Sequence, residues 1–176
     1  MSSNITIEVL NAAQLRHYRP ELIGLLQDAV DGGASVGFIA PLDQPTADNF
    51  WSRIESESEQ GSRIVLAAVV DNHIVGSAQL ALAGQANGGH RAEVQKMLVH
   101  RQYRRQGIAK RLLEALDQAA LQAGRHLLVL DTERNSAGEA LYERYGYIQV
   151  GIIPDYALDS SGQHLIDTVV FYRRLS

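Results

Sequence analysis

Five basic side chains are crowded around one glycine in the segment VHRQYRRQGIAKRLL, residues 99–113. The chain as a whole has a formal net charge of −4, so this basic segment is a local feature. Guanidinium and ammonium groups at such density suit a phosphate, because they neutralise its charge and donate hydrogen bonds to its oxygens. The alternative is a solvated basic turn of the kind found on many protein surfaces. The five side chains are Arg101, Arg104, Arg105, Lys110 and Arg111.

The same segment lacks the side chains that usually cap a helix. Apolar spacing predicts a helix from Gly107 to about Ala123, directly after a strand over 92–99. The residues from 103 to 106 offer no Ser, Thr, Asp or Asn oxygen to the free backbone N–H groups. A phosphate could accept those N–H groups, and Gly107 would let the backbone approach it without a Cβ. We therefore interpret the segment as a phosphate-binding turn.

Two further side chains could hold or accept a proton. Glu93 and Asp131 are acids in otherwise apolar strands, where a carboxylate could bind an ammonium group and accept its proton. Structural alternatives remain open: an ion pair of Glu93 with Arg91 or Lys96, and a turn cap for Asp131.

The composition excludes several classes of function. The 176 residues contain no cysteine, which excludes disulfides, thiolate metal sites and a cysteine nucleophile. With a pI near 5.8 and no second basic stripe, the chain is not expected to bind nucleic acid. The longest apolar run, 64–70, is too short to span a bilayer, and the start MSSNITIEV lacks the pattern of a signal peptide. We expect a cytoplasmic protein with no membrane partner, and no metal because no histidine pair has ligand spacing.

The elements that must position these residues follow the order β-α-α-β-β-β-α-β-α-β-β in one domain, residues 1–176. The strand over 126–132 is nearly all apolar, which predicts a central strand buried on both faces. Helices are predicted at about 11–30, 44–60, 107–123 and 136–146, and strands at 5–9, 62–70, 73–82, 92–99, 126–132, 147–153 and 165–175.

The pattern Arg104-x-x-Gly107-x-Ala109 resembles the pyrophosphate-binding turn of the GNAT superfamily of N-acetyltransferases, with Ala109 in place of the commoner glycine. The segment from Asn135 through Ala-Leu-Tyr142 to Tyr-Gly-Tyr147 resembles the closing motif of that superfamily. GGASVGF, RAEVQKMLV, LDTE, VGIIPDY and DTVVFYRRL resemble the tabtoxin-resistance type, which acetylates the amino group of a small β-lactam amino acid.

The resemblance implies an α/β fold with a mixed, mainly antiparallel sheet of about seven strands. The sheet would be splayed between its fourth and fifth strands and flanked by about four helices. It also implies acetyl-CoA as co-substrate, with Tyr142 as general acid and Glu93 or Asp131 as base. The Tyr142 phenol stays neutral at pH 7 and could donate a proton, and aromatic packing is its structural alternative. The implied cofactor-binding residues are Met97, Leu98, Val99, Arg104, Arg105, Gln106, Gly107, Ile108, Ala109, Lys110 and Asn135. The implied amine-pocket residues are Gly33, Ala34, Ser35 and Phe38.

These residues predict direct acetyl transfer in a ternary complex, because no cysteine is present to carry the acetyl group. The expected acceptor is a small amino-acid-like amine, such as a β-lactam toxin or antibiotic. Two other functions stay open at this point: a non-catalytic sensor of acetyl-CoA and a protein N-terminal acetyltransferase. A homodimer is also left open.

Overall fold

A computed structural model describes residues 5–176 and contains one seven-stranded sheet. The strands follow the order β1-β2-β3-β4-β5-β7-β6, and every neighbouring pair is antiparallel except β4 and β5. This confirms the predicted fold class. The strands are β1 Ile5–Leu10, β2 Arg63–Val70, β3 His73–Leu82, β4 Arg91–Val99, β5 Leu127–Glu133, β6 Ile148–Leu158 and β7 Leu165–Arg174. The helices are α1 Ala12–His17, α2 Arg19–Asp31, α3 Gln44–Glu59, α4 Ile108–Gln122 and α5 Ala137–Arg144.

Helices cover the sheet on both faces, so side chains alternate between two cores. Along β2, Val65 and Ala67 pack with α1, α2 and α3, whereas Leu66 and Ala68 pack with α4. Both sets are apolar because a strand buried on both faces must be apolar at every position. The core beside α4 extends to β5, β7 and α5. The core beside α1, α2 and α3 contains no buried residue from β5 to β7 among those described. The outer part of the sheet is thus covered by helices on one face.

The parallel pair at the centre of the sheet is short. Residues 91–93 of β4 pair with 127–129 of β5, and beyond these residues the two strands diverge. The predicted splay between the fourth and fifth strands is therefore present. It leaves a slot through the sheet, with the later residues of β4 on one side and those of β5 on the other.

A β-bulge interrupts β4 where the slot begins. Gln79 of β3 pairs with Gln95, whereas Ser77, two residues earlier, pairs with Leu98. The fourth strand therefore holds one extra residue, and Lys96 adopts a left-handed backbone with φ of 49°. A left-handed backbone is less favourable for a non-glycine residue by on the order of 1 kcal/mol of free energy. The contacts around Lys96 must therefore stabilise this conformation.

The bulge changes which face each later side chain of β4 takes. Val94 belongs to the core with α4, but Leu98, four residues on, belongs to the core with α1–α3. Gln95 faces α3 by normal alternation, and the extra residue turns Lys96 to that face as well. The Lys96 Nζ lies 5.7 Å from the ring centroid of Phe50 in α3.

The helix predicted over 11–30 is in fact two helices. α1 ends at His17, Tyr18 takes a non-helical backbone, and α2 starts at Arg19. Pro20 accounts for the break, because proline has no N–H for the carbonyl of residue 16 and its ring would clash there. The flanking helices are therefore five instead of about four. No helix within 5–176 is long and apolar enough to cross a membrane.

Two of the later strands also differ from expectation. β5 is not buried on both faces: Leu128 and Leu130 are buried, but Asp131 is exposed because no helix covers its face of the sheet. β6 runs on to Leu158 instead of ending near 153, paired with β7 across an irregular register. This edge strand exposes large apolar side chains such as Val150.

Candidate active site

A cleft of about 1000 Å³ runs along the end of β4 and past the start of α4. Its other walls are the segment after α2 and the first turns of α5. Nine of the predicted cofactor residues line it: Met97, Leu98, Val99, Arg104, Arg105, Gly107, Ile108, Ala109 and Lys110.

The start of α4 lacks a capping side chain, as the sequence predicts. Gly107 is the N-cap residue, and no side chain accepts from the first N–H groups of the helix. Its φ of +78° favours glycine, and an added Cβ would meet no atom within 4 Å. Arg104 and Arg105 are exposed beside it. The turn therefore offers free N–H groups and cationic side chains to an anion in the cleft.

Not all of the basic segment faces the cleft. The Arg101 Nε donates to Asp28 of α2 at 2.8 Å, and its backbone N–H donates to the same carboxylate at 3.0 Å. Burial alone would raise the pKa of Asp28, but these hydrogen bonds from Arg101 lower it overall. Arg101 thus ties the turn to α2 and does not line the cleft.

Two predicted cofactor residues, Gln106 and Asn135, do not line the cleft. Both are exposed, and Asn135 uses its backbone N–H to donate to the carboxylate of Glu139 at the start of α5. Asn135 has φ of 62°, so it serves as the turn residue between β5 and α5. Their contact with a cofactor stays a prediction.

A second cavity of about 330 Å³ adjoins the first at the slot between β4 and β5. It brings together the three catalytic candidates Glu93, Asp131 and Tyr142, which come from three different elements. The two cavities share the lining residues Ser35, Val36, Met97, Thr132, Glu133 and Gly138. Two molecules, one bound in each cavity, would therefore meet at this slot.

The two acids differ in their partners. The Thr168 hydroxyl lies 2.8 Å from a carboxylate oxygen of Asp131 and 2.9 Å from the carbonyl oxygen of Thr132, and it can donate its one proton to either acceptor. Glu93 has no ion-pair partner within 4.0 Å among residues 5–176, so the alternative ion pairs with Arg91 and Lys96 are not formed. By strand alternation Glu93 and Asp131 face the same side of the sheet, the side of α3.

Tyr142 packs in the core and also lines the second cavity. It is 6% exposed, and its ring contacts those of Tyr147 and Phe171 at centroid distances of 5.3 and 6.4 Å. Burial raises the pKa of the Tyr142 phenol above its ordinary value, and the nearby charge of Asp131 raises it further. The phenol is therefore neutral at pH 7, and its role as an acid stays a prediction.

The segment after α2 forms one wall of both cavities. Gly33, Ala34 and Ser35 line the cleft, and Ser35 also lines the second cavity. Phe38 lines neither cavity; its ring packs edge-to-face on Phe50 at 5.5 Å, because burial in the α3 core is more favourable for an aromatic ring than exposure. Phe38 thus supports the segment, and its contact with an acceptor stays a prediction.

Sequence reasoning missed several residues of the second cavity, and Lys96 and Thr168 are two of them. The sequence suggests only an ion pair with Glu93 as a role for Lys96. Simple strand alternation would place the Lys96 side chain on the face of the sheet opposite to that of Gln95. The bulge that turns Lys96 towards the cavity has no recognisable sequence pattern at Gln95-Lys96-Met97. Thr168 is an ordinary strand residue whose role depends on the pairing of β7 with β5.

The arrangement can bind an anion in the cleft and an amine in the second cavity. The carboxylates there suit an ammonium group, and the phenol lies where a leaving group could take a proton. The part of the chain described here holds no cluster of three His, Cys, Asp or Glu residues that could bind a metal ion.

Comparison with known proteins gives a consistent result. The sequence profile of the acetyltransferase (GNAT) family matches residues 35–147. An uncharacterised N-acetyltransferase from the hisH–hisA intergenic region of Azospirillum brasilense is 28% identical over 131 residues, 73% of this chain and 76% of that protein. The structure of yncA from Salmonella typhimurium with its cofactor acetyl-CoA has a TM-score of 0.79 at 20% identity, covering 99% of this chain and 95% of that one. The ribosomal-protein-alanine N-acetyltransferase of Brucella melitensis has a TM-score of 0.79 at 23% identity, covering 97% and 99% of the respective chains.

Proposed function

Because the chain belongs to the acetyltransferase (GNAT) family, we propose that it moves the acetyl group of acetyl-CoA directly to the amine of a small amino-acid-like molecule. The observation that carries this proposal is the junction of the two cavities at the slot. Glu93, Asp131 and Tyr142 border the second cavity there, and the uncapped turn at Gly107 borders the first.

In this proposal acetyl-CoA occupies the larger cleft. Its pyrophosphate would bind the N–H groups at the start of α4, with Arg104, Arg105 and Lys110 supplying positive charge. Its pantetheine arm would pair with the backbone of Met97 and Val99, whose strand has no β5 partner beyond residue 93. The thioester would then lie at the slot, beside the second cavity.

The acetyl transfer itself needs one base, one oxyanion donor and one acid. The acceptor ammonium gives a proton to Glu93 or Asp131, directly or through water, and its nitrogen then attacks the thioester carbonyl carbon. A backbone N–H of Met97 or Leu98 stabilises the oxyanion that forms. As the C–S bond breaks, Tyr142 donates its proton to the departing thiolate. The nitrogen loses its second proton as the amide forms, and that proton returns to the Tyr142 phenolate directly or through water.

The size of the second cavity supports a small acceptor. A volume of about 330 Å³ is at the lower end for ligand pockets, so it suits a molecule the size of an amino acid. Lactam amino acids are the first acceptors to test, because GGASVGF and RAEVQKMLV resemble the tabtoxin-resistance type. A protein N-terminus is the alternative, and a peptide would present its amine through the same cavity.

A panel of amines tests the proposal. Purified protein is incubated with acetyl-CoA and amino acids, β-lactam amino acids, polyamines or peptides, and both free CoA and the N-acetylated product are measured. We expect at least one small amino-acid-like amine to give both products in equal amounts. Acetylation of peptides alone would contradict the small acceptor, and absence of product with every amine, despite acetyl-CoA binding, would contradict the transfer.

A further inference from the structure

Lys96 has an unusual position for a charged side chain. It lies in the bulge of β4 with a left-handed backbone, it is half-buried, and it lines the second cavity. Its ammonium sits over the ring of Phe50 in α3. A strained backbone at a cavity wall is a feature that recurs where a side chain must be aimed at a ligand.

The ammonium of Lys96 has no anionic partner in the part of the chain that the structure describes. No carboxylate oxygen of residues 5–176 lies within 4.0 Å of its Nζ. Two neighbouring arginines, in contrast, have an anionic partner. The guanidinium groups of Arg63 and Arg53 lie 2.6 and 3.1 Å from carboxylate oxygens of Glu57 in α3. Burial lowers the pKa of Lys96, the charges of Arg63 and Arg53 lower it further, and the more distant acids Asp131 and Glu93 oppose this.

We propose that Lys96 binds the carboxylate of an amino acid acceptor whose amine is held by Glu93 and Asp131. The cavity then recognises both charges of a zwitterion, with the cation of Lys96 on the α3 wall and the anions of Glu93 and Asp131 at the slot. Two further acids, Glu133 and Asp167, line the cavity, and Asp167 already contacts Arg134 at 3.0 Å. This inference rests on the proposed function and makes it narrower: the acceptor is an amine that also carries a carboxylate, and Lys96 determines that specificity.

The competing explanation is that Lys96 only stacks on Phe50. A cation over an aromatic ring is favourable, but Arg53 already lies over the same ring at 5.5 Å. If stacking on Phe50 were the only role of Lys96, its side chain would not need to line the second cavity. Arg53 also provides a matched control, because it shares the ring and the charge but lines neither cavity.

Binding can be tested without turnover, because Lys96 and Lys110 are the only two lysines in the sequence. Protein labelled with ¹⁵N and ¹³C at lysine gives two side-chain signals, and the one missing in Lys96→Met belongs to Lys96. In the presence of CoA, N-acetylglycine should shift the Lys96 signal in a saturable way, whereas N-acetylglycinamide, which lacks the carboxylate, should not. Equal shifts with both compounds, or none with either, would overturn the proposal.

Kinetics test whether the contact sets specificity. The best acceptor from the amine panel is compared with its carboxamide and its decarboxylated amine in the wild type, Lys96→Met, Lys96→Arg and Arg53→Met. Losing one charge-assisted contact should lower kcat/KM for the acid by about 10- to 100-fold in Lys96→Met. Values for the two analogues that lack the carboxylate and the KM for acetyl-CoA should stay within about twofold, Lys96→Arg should recover part of the loss, and Arg53→Met should behave as wild type.

The two proposals can fail separately. If the wild type acetylates the amide and the amine as well as the acid, the carboxylate contact is wrong and the acetyl transfer stands. If no amine is acetylated but N-acetylglycine still shifts the Lys96 signal, the transfer is wrong and the anion site stands. An equal loss for all three acceptors in Lys96→Met would make Lys96 a structural residue and overturn the inference.

Discussion

A negative charge at Gly107 should strongly weaken the binding of acetyl-CoA while leaving the fold intact. The matched pair is Gly107→Asp and Gly107→Asn, whose side chains have nearly the same shape and both tolerate a left-handed backbone. An added Cβ meets open space, so each variant should lose only about 1 kcal/mol of stability from its φ of +78°. The difference between the two variants then isolates the charge.

The size of that difference follows from the exposure of the turn. A carboxylate about 6 Å from each of two phosphate charges, at an effective dielectric constant of about 40, raises the binding free energy by about 1.4 kcal/mol per phosphate. The sum of about 3 kcal/mol corresponds to about a hundredfold weaker Kd for Asp than for Asn. Salt at 1 M should reduce this ratio strongly, because the Debye length falls to about 3 Å.

Isothermal titration calorimetry of both variants with acetyl-CoA, at about 0.1 M and 1 M salt, measures these affinities. Circular dichroism and thermal unfolding confirm that both variants are folded. Equal affinities of the Asp and Asn variants at low salt would refute the assignment of the pyrophosphate to the start of α4. A difference that does not change with salt would contradict charge repulsion between residue 107 and the pyrophosphate as its cause.

Four further variants test other parts of the site and the core. Tyr142→Phe should lower kcat by about 10²–10⁴-fold with little change in acetyl-CoA affinity, and wild-type turnover would leave Tyr142 as a packing residue. Because the pKa of Tyr142 is raised, wild-type kcat should not fall from phenol ionisation up to pH 10, which a pH–rate profile checks. Glu93→Gln and Asp131→Asn keep shape and remove charge; at least one should lower kcat/KM for the amine, and unchanged values in both would exclude a carboxylate base. Leu112→Ala, at a fully buried position in α4, should lower the free energy of unfolding by about 2–5 kcal/mol, measured by urea denaturation.

Much of the fold could be predicted from sequence because its signals are local. The amphipathic pattern of α4 and the missing cap before it can both be read within about twenty residues, and the structure contains both. The break at Tyr18 was also readable in principle, since Pro20 is a strong helix breaker, but the apolar spacing continued across it.

The second cavity was less predictable because it depends on contacts between distant segments. Thr168 reaches Asp131 only because β7 pairs with β5, and neither strand carries a sign of the other. The position of Lys96 in the cavity was not predicted for a different reason. A one-residue bulge reverses the facing of later side chains, and a period-two reading of β4 cannot detect such a change.

The short parallel pairing between β4 and β5 has a consequence for the lifetime of the protein in a cell. Three residue pairs join the two halves of the sheet, so this junction adds only a few kcal/mol beyond the shared core. A co-substrate that fills the slot binds the native state alone and stabilises it by RT ln(1 + [L]/Kd), about 2.7 kcal/mol at a hundred times Kd. Under starvation for acetyl-CoA, unliganded molecules would unfold more often and be removed by proteases, so abundance would follow the metabolic supply.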